Sequence, residues 1–218
     1  MPTYRKLITV ILLISQLMVS GCSEQRNKDT SSRRTDTMNA AIIKSVDVFK
    51  NRPIYSKLTA GIVAATPDST LLQTVFDNLS TKLPRDQQHD YETVMSWTKP
   101  QQAIYISWVL EAEVNNGGFN QYYFNQSGQF ADLTPDALTL VGAMRLANLA
   151  LRANEIYKTN KEQIIRYQDG SLEGFAKSYD DNPLGTIDDE FYDLQGKENL
   201  QKLQIAYIRS HVAYFIDK

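Results

Sequence analysis

The chain has 218 residues, is 42% hydrophobic and 22% charged, and carries 23 basic against 25 acidic residues. This suits one ordinary domain with its own core and excludes a disordered chain, a collagen-like fibre and a polytopic membrane protein. One cysteine excludes a disulfide framework and a cysteine zinc site, and two histidines argue against a histidine metal site.

Residues 1–21 read as a processing signal. Arg5 and Lys6 precede a nearly apolar run from Leu7 to Val19, too short for the ~20 residues of a spanning helix. The run ends in Val19-Ser20-Gly21-Cys22, which resembles the lipobox of bacterial lipoproteins. That resemblance implies a diacylglyceryl thioether on Cys22, cleavage before it and acylation of its amine. Anchoring by more than one acyl chain is stable, because each buried methylene contributes ~0.8 kcal/mol. Ser23 follows where an aspartate would favour inner-membrane retention, so an outer-membrane destination is expected in a diderm cell. Residues 22–37 contain no aliphatic or aromatic residue after the cysteine. Such a segment cannot offset its ordering entropy by burial and reads as a flexible tether.

Residues 38–218 read as one all-α domain. Met38, Ile42, Ile43, Val46 and Phe49 fall at helical spacing over 38–50. A second amphipathic helix carries Leu71, Leu72, Val75, Phe76 and Leu79 behind Asp68-Ser69 as a cap, and Pro84 ends it. A shorter one is expected around Asp86–Trp97. Gln101–Asn116 is apolar nearly all round, which places it inside the domain; Asn115-Asn116-Gly117-Gly118 ends it. Thr134-Pro135 starts a helix expected to run unbroken to about Lys158, rich in alanine for close packing. A short helix near Ile187–Leu194 and a last one over about Glu198–Ile216 complete the chain. Neither strand alternation nor an internal repeat is present, so the expected architecture is a single irregular helical bundle.

Charge is uneven. Without Arg5 and Lys6 the mature chain has net charge −4, divided into +3 over residues 22–52 and −7 over 53–218. Residues 169–193 hold eight acids against Lys177 alone. Such a body repels nucleic acid and suits a basic protein partner. Asp180, Asp181, Asp188, Asp189, Glu190 and Asp193 are the candidate partner-binding residues. The four from Asp188 to Asp193 are expected to share one exposed face of a short helix. These acids lack the ligand pattern of an EF-hand, and no metal or cofactor is expected.

The segment from Glu111 to Gly128 concentrates a helix end, two glycines, four aromatics and several amides. Glu113, Asn116, Gly117, Gly118, Phe119, Asn120, Gln121 and Tyr122 are its candidate residues. Glu111 and Glu113 continue apolar stripes but lie ~200° apart around a helix, so they cannot act as an acid/base pair on one substrate. A buried carboxylate needs donors; Asn116, Asn120, Gln121 and the amides around the glycines are expected to supply them. The bland reading is a structural polar knot. The functional reading is a ligand or catalytic site near Glu113, Asn116 and Asn120. His211 reads as a core histidine with a hydroxyl or carbonyl partner, and His89 as a surface one. No hydrolase, P-loop or dinucleotide motif occurs.

The string EVNNGGFNQYYFN resembles the core motif of the bacterial DNA-mimic-protein C-terminal domain family, with the match expected over about 70–216. The resemblance implies an all-α fold, often homodimeric, and for the family's namesake an acidic surface that imitates DNA phosphates and occupies a DNA-binding protein; the favoured role is protein interaction without catalysis. The signal at Cys22 departs from that picture, since a lipid anchor would place a cytoplasmic partner out of reach. Two other roles stand beside an interaction module: an envelope hydrolase or small-ligand-binding protein, and an antagonist of a basic toxin.

Overall fold

A computed structural model of the chain describes residues 40, 43–84, 88–167, 171–180 and 182–217. Residues 1–39 lie outside the described residues, so the signal, Cys22, the tether and Met38 do as well. So do Ile42, Asp86, Asp169 and Asp181. Among the described residues there is helix and no strand, as the all-α reading expects.

The described residues fall into two units divided after Pro53. In the first, residues 43–50 form helix α1. The Arg52 guanidinium lies 3.6 Å over the Phe49 ring and donates to the Phe49 carbonyl at 2.6 Å.

In the second, short helix α2 (Ala60–Ala65) is capped by the Thr59 hydroxyl, which accepts from the Ile62 amide. Helix α3 (Asp68–Thr81) buries Leu71, Leu72, Val75 and Leu79. The expected Asp68-Ser69 cap does not form. Pro67 holds the cap position, and Asp68 sits in the first turn, paired with Arg209 at 2.7 Å. Arg209 also donates to the carbonyls of Val63 and Thr66, clasping the α2–α3 junction from the far end of the chain. Helix α4 spans Asp90–Met95.

Helix α5 (Lys99–Phe124) is the central element, with Ala103, Ile104, Ile106, Leu110 and Val114 each 1% exposed or less. Its start is a capping box. The Gln101 side chain accepts from the Thr98 amide while the Thr98 hydroxyl serves the third helical residue. A 3-10 stretch (Gln126–Leu133) leads into α6 (Thr134–Leu140) and α7 (Met144–Thr159). The single long helix expected from Thr134 is broken at Gly142, whose φ is +88°. The Ala143 amide bonds the Leu138 carbonyl at 2.8 Å and the Gly142 amide the Thr139 carbonyl at 3.0 Å. That pair of bonds is a Schellman ending, which needs a left-handed residue where glycine stands. Thr134 does not cap either. Its hydroxyl lies inside α6, bonded to the Phe130 carbonyl and to the Tyr122 hydroxyl.

Helices α8 (Lys161–Ile165), α9 (Leu172–Lys177), α10 (Gly185–Gln195) and α11 (Leu200–Ser210) follow, then a 3-10 turn at Val212–Tyr214. The Glu198 carboxylate accepts from the Arg145 and Leu146 amides, capping α7 from more than fifty residues away. His211 has the expected kind of partners, the Ser210 hydroxyl and Tyr207 carbonyl, but it is half-buried at the end of α11 and stacks on Tyr207. It is not a core residue. His89 is exposed, as expected.

Candidate functional site

The apolar helix α5 is interrupted where its sequence supplies two glycines. Gly117 is extended (φ −164°, ψ 30°). Gly118 has φ +70° and ψ −177°, a conformation essentially restricted to glycine. Helical geometry resumes at Phe119, so the glycines end one helical segment and at once begin another. A break of this kind strips backbone groups of their helical partners, and buried ones must find others. The Tyr192 hydroxyl donates to the Val114 carbonyl at 2.9 Å, and the Tyr179 hydroxyl to the Gly117 carbonyl at 2.7 Å. Asp188 Oδ1 accepts from the Phe119 amide at 2.6 Å. Gln195 Nε2 donates to Asn115 Oδ1 at 2.6 Å. Asp188, Tyr192 and Gln195 recur at helical spacing, so one face of α10 makes three of these four contacts, and Tyr179, just after α9, makes the fourth.

Inside the kink lies the expected polar knot. Glu113 is 4% exposed. Its Oε2 accepts from Gln121 Nε2 at 2.6 Å and from Asn125 Nδ2 at 2.8 Å. Asn116 Nδ2 in turn donates to Gln121 Oε1 at 2.9 Å. Burial pushes the Glu113 carboxyl above its ordinary range, while the Gln121, Asn125 and Ser127 side chains oppose the shift. Of the expected donors only Gln121 reaches Glu113, and Asn116 is spent on Gln121. Asn120 Nδ2 donates to Ser178 Oγ at 2.7 Å, and the amide after the glycines serves Asp188. Asn125, at the end of the motif, takes their place. Phe119, Tyr122 and Tyr123 pack beneath, each 3% exposed or less. Phe119 sets its edge on Phe191 of α10, with ring centroids 6.0 Å apart.

The knot does not form a catalytic pair. Glu111 is half-buried and separate from Glu113, and its carboxylate has no hydrogen-bond or ion-pair partner among the described residues. Burial alone pushes it up to about 7.

The acidic helix face is rearranged relative to expectation. Asp188 is half-buried against the kink, and burial pushes its carboxyl up to about 6 against the pull of the Phe119 amide. Glu190 pairs with Arg152. Asp189 and Asp193 remain exposed on α10, with Asp180 exposed after α9; Asp181 lies outside the described residues. Of the four acids expected on one exposed face, Asp188 is therefore turned to an internal structural task, because the broken helix offers it an unpaired amide. Tyr179, Tyr192 and Gln195 carry no signal in the sequence for their part in the kink, since they lie 62 to 80 residues from their partners.

A family model described as DMP19-like protein matches residues 95–211, more than half of the chain and including the kink. The chain belongs to the DMP19-like protein family. The match lies inside the expected span of 70–216 and takes in the kinked helix and the α9–α11 elements that brace it. No curated protein and no solved structure matches the chain. The family match suggests a DNA-mimic-like protein-interaction domain. Among the described residues no group of three or more acidic, histidine or cysteine side chains is arranged to hold a metal ion, and no helix is long and apolar enough to cross a membrane.

Proposed function

We propose that this DMP19-like domain is a non-catalytic, acidic binding module, held at the cell envelope by a lipid on Cys22 and working outside the cytoplasm on a basic protein. The carrying observation is how the motif's polar groups are spent. Glu113, Asn116, Gln121 and Asn125 satisfy one another, and the backbone groups opened by the glycines are taken by Tyr179, Tyr192 and Asp188. An enzyme site needs polar groups that converge on an open cleft, whereas these converge on each other. That favours binding by the outer surface over hydrolysis near Glu113, Asn116 and Asn120. The anchor follows from the order of Arg5, Lys6, the apolar run and Cys22, and an outer-membrane destination follows from Ser23. A homodimer is part of the same reading by family.

Two measurements test the proposal. Metabolic labelling with a fatty acid should mark the wild-type chain and not Cys22→Ala; equal labelling removes the anchor. Capture of envelope proteins on the mature protein should recover a basic partner at low salt and lose it near 1 M salt, where the screening length falls to ~3 Å. Retention that ignores salt, or a neutral partner, removes the acidic-surface reading.

A further inference from the structure

The outer side of the kink has the composition of a contact surface. Tyr179 is 37% exposed and Tyr192 is 45% exposed, yet the hydroxyl of each is fixed to a backbone carbonyl of α5. Exposed tyrosines usually keep rotamer freedom and lose it on binding. These two have already given it up, so little ordering cost remains when a partner covers them. Tyrosine is also among the residue types that dominate interface energetics. The two hydroxyls meet carbonyls only three residues apart on α5, those of Gly117 and Val114, which brings both tyrosines to one stretch of that helix. Asp180 adjoins Tyr179 in sequence, and Asp189 and Asp193 flank Tyr192 on α10; all three are exposed. Beside the Tyr179 hydroxyl, Asn120 is fully buried and its Oδ1 has no hydrogen-bond partner among the described residues.

We propose that the partner-binding surface of this protein is centred on Tyr179 and Tyr192, rimmed by Asp180, Asp189 and Asp193, and that it takes an arginine-bearing segment of a basic protein. The inference rests on the binding-module reading and adds the place and the chemistry. Arginine fits both components of the patch. Its planar guanidinium stacks on a tyrosine face and also pairs with carboxylates through a fork of donors, whereas the compact, strongly hydrated lysine ammonium does the first poorly. The kink thus has two sides with different duties: polar groups turned inward hold the angle, and rings turned outward meet the partner.

The test uses the full chain and two fluorescein-labelled probes, nona-arginine and nona-lysine, followed by fluorescence anisotropy at low and high salt. The parent should bind nona-arginine at least threefold more tightly than nona-lysine. Tyr192→Leu should weaken nona-arginine binding about tenfold and abolish the preference, while Tyr192→Phe, which keeps the ring, should retain it. Asp189→Asn with Asp193→Asn changes only exposed residues and leaves the fold intact, and it should weaken both probes. The exposed acids Asp136 and Glu162 on α6 and α8 provide the contrast: Asp136→Asn with Glu162→Gln should weaken binding less than the Asp189 and Asp193 pair. Equal losses from the two pairs, or an unchanged arginine preference in folded Tyr192→Leu, overturn the surface while leaving an acidic binder. Failure of the parent to bind either probe overturns the binder as well.

Discussion

Replacing Gly118 by alanine perturbs the kink at one atom. Two costs arise. The first is conformational, since φ +70° with ψ −177° is essentially closed to a residue with a Cβ, at about 1–3 kcal/mol. The second is steric. An added Cβ would lie 2.7 Å from Asp188 Cγ and 2.8 Å from its Oδ1. The carboxylate must retreat, and the Phe119 amide then loses its acceptor, at about 1–3 kcal/mol. The total of about 2–6 kcal/mol is a large share of a domain's stability. At about 2–4 °C per kcal/mol for a chain of this size, it should lower Tm by roughly 5–20 °C. A double-mutant cycle separates the two parts. In an Asp188→Ala background the steric part is already absent, so Gly118→Ala should cost about 1–3 kcal/mol less than in the parent. Urea unfolding followed by circular dichroism measures all four proteins. Strictly additive costs would refute the contact between Gly118 and Asp188, and an unchanged parent stability would refute the kink. Gly117→Ala is an internal comparison. Its extended backbone carries no conformational cost, and its Cβ meets side chains alone, the Gln121 amide oxygen, the Tyr179 hydroxyl at 2.5 Å and Gln121 Cβ at 3.0 Å.

Glu113→Ala leaves the amides of Gln121 and Asn125 without their acceptor and should destabilise the domain by about 1–3 kcal/mol; a folded protein of undiminished Tm would remove the knot's structural role. Glu111 is raised from 4.5 to about 7. A raised carboxyl contributes stability that is fully present below about 4.5 and lost as pH rises through about 7. Glu111→Gln should therefore stabilise at pH 8 by about 1–2 kcal/mol, the full shift of about 3 kcal/mol being reduced by solvent access, and should do nothing at pH 4; chemical denaturation at both values checks the sign. Asp217 behaves in the opposite sense. Burial pushes it up, but hydrogen bonds from Lys82, the Leu58 amide and Asn78 outweigh that and hold it below its ordinary value. Its contribution is present above the usual value of 3.8 and lost as pH falls through the folded one. Asp217→Asn should thus cost about 1 kcal/mol at pH 7, with the gap closing in acid in a pH series of Tm.

Helix periodicity is a local property, and for that reason the amphipathic stretch at Leu71–Leu79 and the all-round apolar run of α5 could be read directly from residue spacing. The glycine pair at 117–118 could be read as a helix end on the same grounds, and Gln121 as a donor to Glu113, whereas Asn116 and Asn120 bond elsewhere and Asn125 supplies the second donor. Short elements were hidden. α2, α8 and α9 have five or six residues each, too few for a periodic signal, and packing rather than propensity sustains helices of that length. The break at Gly142 was also missed, because the alanines around it preserve a helical pattern across a residue that is itself left-handed.

The sequence by itself determined that the chain is helical, that its motif is buried, and that charge gathers in residues 169–193. Only the tertiary structure decided which of those charges face solvent. Asp188 and Asp189 are neighbours of identical chemistry, yet one caps a broken helix 69 residues away while the other stays exposed. The same holds for Tyr179 and Tyr192, whose hydroxyls complete the kink from another part of the chain. Such assignments depend on which distant backbone groups are left unpaired by the glycines. An unpaired buried amide or carbonyl is costly enough to recruit whatever donor or acceptor the fold brings near, and residue spacing along the chain carries no record of that proximity.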